Sequence, residues 1–301
     1  HGLGNQRPAA GGLVLGNTRR PTSAGIARLA PGLSWGIPGA RPVLALHGWL
    51  DNAASFSVLA PLLVQHHVVA VDLTGHGRSA CRSADAGYQI WDDLPELLGV
   101  LDALGWDRFA LMGHSRGAII ASLLASTVPE RVERLVLLDG VAPGPVAEEE
   151  FPRQLRKFLD EKRHWMQRQN RVYPTLEAAV ASRTVDGLPI GPVTALVERN
   201  LRPCAGGYTW TTDLRLRGAS AVKMTVRQIE AVLAALSMPT LLLLAQEGIG
   251  KHPELVALAR RQIRRLDIAE TPGGHHFHMA AGAAIVAQQI DQFLRGRYGI
   301  Q

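Results

Sequence analysis

The 301-residue chain is poor in cysteine, with only Cys81 and Cys204. A protein of this length does not depend on a disulfide to fold, so both thiols are expected to be reduced. Long apolar runs are missing as well. Stretches such as Leu241–Ala245 fall far short of the roughly 18 residues that cross a bilayer, so membrane insertion is not expected. Residues 1–21 carry arginines but no apolar core of signal-peptide length, Leu13-Val14-Leu15 being the sole candidate, and read as a flexible leader. Together these absences point to a cytoplasmic protein. Nor is there a concentrated excess of one charge. Lys and Arg number 32 against 26 Asp and Glu, a formal net charge of +6, yet the signs interleave, as in Glu130-Arg131-Val132-Glu133-Arg134. The densest basic group, Arg260, Arg261, Arg264 and Arg265, has helical spacing and no interleaved aromatics. It reads as a solvated helix face, and no nucleic-acid partner is expected.

What is present is enough apolar residue, 47% of the chain, to bury one sizeable core. Apolar runs with the look of buried parallel strands recur at Val43–Leu46, Val68–Val71, Phe109–Met112, Leu135–Leu138 and Leu241–Leu244. Between them lie helical patterns over Ala53–Leu63, Ile90–Leu104 and Ala118–Val128, the last stopped by Pro129. This alternation predicts an α/β fold with a doubly wound, mostly parallel sheet. From Gly140 to about Ser237 the rhythm breaks: helical stretches at Glu148–Arg168 and Leu176–Arg183 are separated by prolines, with no core-like strand. The chain therefore divides into a leader (1–21), a core (22–139 and 238–301) and an inserted helical cap (140–237).

The chemistry starts at Gly113-His114-Ser115-Arg116-Gly117, which follows the apolar run Phe109–Met112 and precedes a helical one. A serine on such a strand-to-helix turn forms a nucleophile elbow: small residues on either side let the chain double back and expose the hydroxyl at the sheet edge. Serine needs a base to take its proton, and the base needs an orienting acid. The turn Gly273-Gly274-His275-His276-Phe277-His278 offers His275 as the base, directly after the Gly-Gly pair, with His276 and His278 as loop neighbours. No carboxylate or cysteine accompanies these histidines at a recognisable metal-ligand spacing, so no metal or other cofactor is expected. The amides of Trp49, after Gly48, and of Arg116, at a helix N-terminus, are the candidate oxyanion donors. His47 is read chiefly as pinning this loop. His47, His114 and His276 border the site, and Trp165, Tyr173 and Trp210 are candidate liners of an acyl pocket.

His47-Gly48-Trp49-Leu50-Asp51-Asn52-Ala53-Ala54-Ser55-Phe56, Asp72-Leu73-Thr74-Gly75-His76-Gly77-Arg78-Ser79, the elbow, Leu137-Leu138-Asp139 and Gly274-His275 resemble the α/β-hydrolase superfamily. The first of these strings specifically resembles the serine hydrolase-like protein family, and Asp213-Leu214-Arg215-Leu216 does so more loosely. The resemblance implies a parallel-stranded core, a helical cap over the pocket and no cofactor. In the commonest superfamily pattern the acid is an aspartate in the loop after the strand that here is Leu241–Leu244. That loop instead reads Ala245-Gln246-Glu247-Gly248-Ile249-Gly250. Asp139, closing the preceding strand, occupies a position that some members use for the acid and is the favoured candidate; Glu247 is the alternative. The expected activity is a serine carboxylesterase acting on a small-molecule ester. Other acyl hydrolases on the same triad, and a ligand-binding homologue with little turnover, are its rivals. A nucleophilic serine excludes the haloalkane and epoxide chemistry that a carboxylate at the elbow performs.

Overall fold

A computed structural model describes residues 11–14, 30–183 and 188–298. Its elements, in chain order, begin with β1 (Gly11–Val14), β2 (Pro31–Trp35), β3 (Arg41–Leu46), β4 (His66–Val71), α1 (Leu94–Leu104), β5 (Phe109–His114), α2 (Arg116–Thr127) and β6 (Val132–Leu138). Then follow α3 (Phe151–Met166), β7 (Val172–Tyr173), α4 (Leu176–Ser182), α5 (Ile190–Arg199), β8 (Leu201–Cys204), β9 (Gly207–Trp210) and α6 (Val226–Ala234). The chain closes with β10 (Thr240–Glu247), α7 (Pro253–Gln262), β11 (Leu266–Gly274) and α8 (Ala283–Leu294).

Eight strands form one sheet in the order β1-β2-β4-β3-β5-β6-β10-β11. From β4 to β11 neighbouring strands run parallel, and β1 and β2 add an antiparallel edge. The continuous apolar runs follow from burial on both faces. Leu44, Leu46, Val69, Val71 and Leu111 join one core with residues of α1, α2, α6 and α7. Their neighbours Val43, Ala45, Val68, Ala70 and Met112 face the opposite core with α8. Among the described residues no helix is long and apolar enough to cross a membrane.

Three expectations need correction. Gly11–Val14, within the expected leader, pairs with β2, while the rest of 1–21 lies outside the described residues. Ala53–Leu63 is not one helix but two short 3-10 turns, Ala53–Phe56 and Ala60–Leu62. Asn52 caps the first, accepting from the Ala54 amide at 2.9 Å. The segment between β6 and β10 is not wholly helical, since β7, β9 and β8 form a three-stranded antiparallel sheet. Gly206 and Gly207, at φ of 88° and 134°, turn the β8–β9 hairpin, and Tyr208, Thr209 and Trp210 are the strand-favouring residues that follow.

This inserted segment is tied to the core beneath it by buried polar contacts. The Arg199 guanidinium pairs with Asp72, its Nε lying 3.0 Å from each carboxylate oxygen. Asp72 also accepts from the Ala53 and Arg78 amides. Asn200 donates to the Leu50 carbonyl at 3.1 Å, and Asn52 donates to that of Leu196 at 2.8 Å. Each charge or amide finds its partner, as burial requires.

Candidate active site

Ser115 sits between β5 and α2 at φ 57°, ψ −120°, a left-handed conformation that a non-glycine residue adopts only under constraint. Two glycines make the constraint possible. A Cβ at Gly113 would meet the Gly117 carbonyl oxygen at 2.3 Å, and one at Gly117 would meet the Leu46 oxygen at 2.2 Å. The elbow thus packs backbone against backbone, and the Arg116 amide, the first of α2, has no partner earlier in its own helix. Gly48 brings the loop after β3 against the same point: a Cβ there would lie 3.3 Å from that of Ser115.

Ser115 Oγ donates to His275 Nε2 at 2.8 Å, and His275 Nδ1 donates to Asp139 Oδ2 at 2.6 Å. Asp139 directly follows β6 with φ 51° and is buried, and its two oxygens accept from the amides of Ala245 (3.0 Å) and Ile249 (3.2 Å). Gly248 explains how the carboxylate fits. A Cβ at that position would fall 2.3 Å from Asp139 Oδ2, so the loop that usually carries an acid here makes room for one coming from the neighbouring strand. Glu247, the alternative acid, ends β10 with its side chain exposed.

The other histidines are committed elsewhere. His47 donates from Nδ1 to the Gly48 carbonyl at 2.8 Å and accepts the Leu73 amide at Nε2 at 2.9 Å, so both nitrogens hold the loop and neither is left for substrate. His114 is fully buried beneath the ring of His275 and donates from Nε2 to the His275 carbonyl at 2.7 Å. It supports the histidine loop and does not border a substrate, a correction to the expectation from its place in the elbow. His276 donates to Asp51 Oδ2 at 3.2 Å, and Asp51 is also paired with Arg183 at 2.7 Å. Burial alone works to raise the Asp51 pKa; the His276 hydrogen bond and the nearby positive charge outweigh it and hold the carboxyl well below the usual range. The Trp49 indole donates to the Leu216 carbonyl at 2.8 Å, linking the loop to the insertion.

Tyr173 and Trp210 meet edge to face and line a cavity of about 130 Å³ shared with Leu50, Arg183 and Arg217. Trp165 lines an adjoining cleft of about 500 Å³, which Trp210 also borders. Asp51, Arg183, Asp72 and Arg199 were not singled out as partners by sequence reasoning. Asp51 and Asp72 lie in the two quoted motifs, but nothing in the motifs points to arginines more than a hundred residues away.

The model of the α/β-hydrolase fold matches residues 41–182. A serine hydrolase-like protein of Danio rerio is 32% identical over 277 residues, covering 88% of this chain and 84% of its own length. The chain belongs to the serine hydrolase-like family of α/β hydrolases. A probable serine hydrolase of Drosophila melanogaster is 29% identical to this family member over 87% of this chain and 83% of its own. Among solved structures, a hypothetical protein from Pseudomonas aeruginosa PAO1 superimposes with a TM-score of 0.84 at 38% identity, covering 89% of this chain and 96% of that one. The thioesterase domain from the curacin biosynthetic pathway gives 0.79 at 25% identity, covering 93% and 99%.

Among the described residues of this hydrolase four histidines are fully buried, His47, His76, His114 and His278, each pushed below the ordinary imidazole range, first of all by burial. The folded chain keeps them neutral, whereas the unfolded chain protonates each near pH 6.5, so stability is complete above that pH and is lost as pH falls below it. Each contributes up to about 1.4 kcal/mol per pH unit. Asp93, pushed up to about 6 by burial, works in the opposite direction, but it is one group against four. Thermal melts should show Tm on the order of 10 °C lower at pH 5.5 than at pH 7.5; a flat profile would contradict this.

Proposed function

We propose that this hydrolase cleaves carboxylic esters through an acyl-enzyme. The observation that carries the reading is the unbroken hydrogen-bond chain from Ser115 Oγ through His275 to buried Asp139. His275 takes the serine proton as Oγ attacks the ester carbonyl, then returns it to the leaving alcohol; water repeats the sequence to free the acid. Asp139 fixes the ring tautomer, since its contact with Nδ1 leaves Nε2 as the nitrogen that faces the serine, and it stabilises the imidazolium. The Arg116 and Trp49 amides receive the oxyanion, where pre-set donors are worth most because they need no reorganisation. The Ser115 backbone strain supports this role, because such strain persists where a function holds it.

Residues 140–237 act as the cap, with Tyr173 and Trp210 flanking the acyl side; Trp165 is left to the adjoining cleft. The unpaired Cys81 and Cys204 support a reducing, cytoplasmic setting. Thioester cleavage is the second reading, favoured by the likeness to the curacin thioesterase domain and by a triad that serves both bonds. A panel of p-nitrophenyl esters of rising acyl length, run beside the matching thioesters, tests the two. Preference for the oxygen esters at short to medium length supports esterase activity. Turnover of thioesters alone favours the second reading, and no turnover of either contradicts both.

A further inference from the structure

Beside the Ser115–His275–Asp139 chain lies a second group of side chains that the acyl-transfer mechanism does not use. Asp51, His114 and His276 each present a ligand atom, and these atoms lie within 4.8 Å of one another. Asp51 and His114 are buried and His276 is half-buried. The carboxylate comes from the loop after β3 and the two histidines from β5 and the loop after β11, which is why linear spacing does not reveal the group.

Three observations set this cluster apart from an incidental one. His114 Nδ1 is buried and has no hydrogen-bond partner among the described residues. Its tautomer is fixed, because Nε2 donates to the His275 carbonyl at 2.7 Å, which leaves a lone pair on Nδ1. A histidine whose far nitrogen is held by a backbone carbonyl is the usual outer support of a metal-binding imidazole. The carboxylate is oriented in the same way: Arg183 holds Asp51 Oδ1 at 2.7 Å, while Oδ2 faces His276 Nε2 at 3.2 Å. An orphaned buried nitrogen costs free energy unless something occupies the space before it.

The geometry points to a binding site for a borderline divalent transition ion such as Zn²⁺, held by Asp51, His114 and His276 with one position open to water, and to inhibition of the hydrolase when it is filled. Two imidazoles and a carboxylate are a donor set that such ions accept with a fourth position left to water. The ion takes the place of the proton between His276 Nε2 and Asp51 Oδ2, and the His276 ring adopts its other tautomer with that proton on Nδ1. Tetrahedral ligands stand about 3.4 Å apart around zinc, against separations of up to 4.8 Å here, so binding draws the three groups closer together.

Inhibition follows from charge. The His114 and His275 rings lie 4.7 Å apart, so a dication on His114 sits close to the imidazole that must become positive when it takes the serine proton. Like charges at that range disfavour the imidazolium. The loop bearing His276 also carries the adjacent His275, so any shift of that loop on binding moves His275 relative to Ser115.

Binding is measured on the EDTA-treated full chain by calorimetric titration with ZnCl₂, and coordination by the visible absorption of the Co²⁺ form. One ion per chain is expected, with intense tetrahedral Co²⁺ bands. His276→Ala and the isosteric Asp51→Asn should each weaken binding by at least about tenfold, while the surface change His252→Ala should not. Ester hydrolysis should fall in step with occupancy and return on chelation. Binding that is absent below about 1 mM, or unchanged in both His276→Ala and Asp51→Asn, overturns the site. Binding without loss of turnover overturns the inhibition. The inhibition rests on the esterase reading and the binding does not, so a chain that binds Zn²⁺ but hydrolyses no ester would refute that reading alone.

Discussion

Ser115→Ala should lower kcat for ester hydrolysis by on the order of 10⁴ to 10⁶ while leaving the fold intact. The large loss is expected because the residues that flank Ser115 cannot substitute for its oxygen: His275 Nε2 would face a methyl group, and water would have to attack without the covalent step. The residual rate is what the oxyanion donors and binding alone supply. Structural side effects should be slight. Ser115 Oγ bonds only to His275 among the described side chains, and the elbow is held by its backbone, with the Ser115 amide donating to the Leu138 carbonyl at 3.0 Å. Steady-state kinetics with circular dichroism on the same preparation check both halves.

Asp139→Asn should cost on the order of 10⁴ in kcat, and Glu247→Gln less than about tenfold. The asymmetry comes from position. Asp139 is buried, takes two amide hydrogen bonds on its own oxygens and meets His275 at 2.6 Å. An asparagine there presents an NH₂ group to the imidazole or to those amides, which turns the ring to the wrong tautomer and leaves its cation unsupported. Glu247 is exposed, where a single charge does little for fold or rate. Because the Ala245 and Ile249 amides would lose an acceptor, some loss of stability is expected as well, and thermal melts must show the variant folded before kcat is compared. A folded Asp139→Asn with near wild-type kcat, alongside an inactive Glu247→Gln, would move the acid to the later loop.

Much of the fold is legible because parallel strands buried on both faces must be apolar throughout. Val43–Leu46, Val68–Val71 and Leu135–Leu138 therefore stand out, and only their polar ends, such as Arg41, His66 and Glu133, escape the pattern. The antiparallel strand Pro31–Trp35 does not stand out, since it is only partly buried and carries Gly32 and Ser34. The β8–β9 hairpin is hidden for the same reason: Arg202 and Pro203 sit in a short, partly exposed strand. Glycine marks the elbow because backbone packing there admits nothing larger, and Gly273 marks the His275 turn through its positive φ of 120°. The choice between Asp139 and Glu247 was open in the sequence, and the structure brings Asp139 to His275 for a reason that only coordinates display, the space left by Gly248. Contacts such as His276 with Asp51, separated by 225 positions, leave no periodic trace at all.

The most direct test is labelling with a fluorophosphonate, which reacts with a serine activated by a base and mimics the tetrahedral intermediate at phosphorus. Peptide mass spectrometry of the labelled chain should place one adduct on Ser115, and the adduct should disappear in Ser115→Ala and fall sharply in Asp139→Asn. A label on another residue, or an active chain that takes up none, would contradict the acyl-enzyme mechanism.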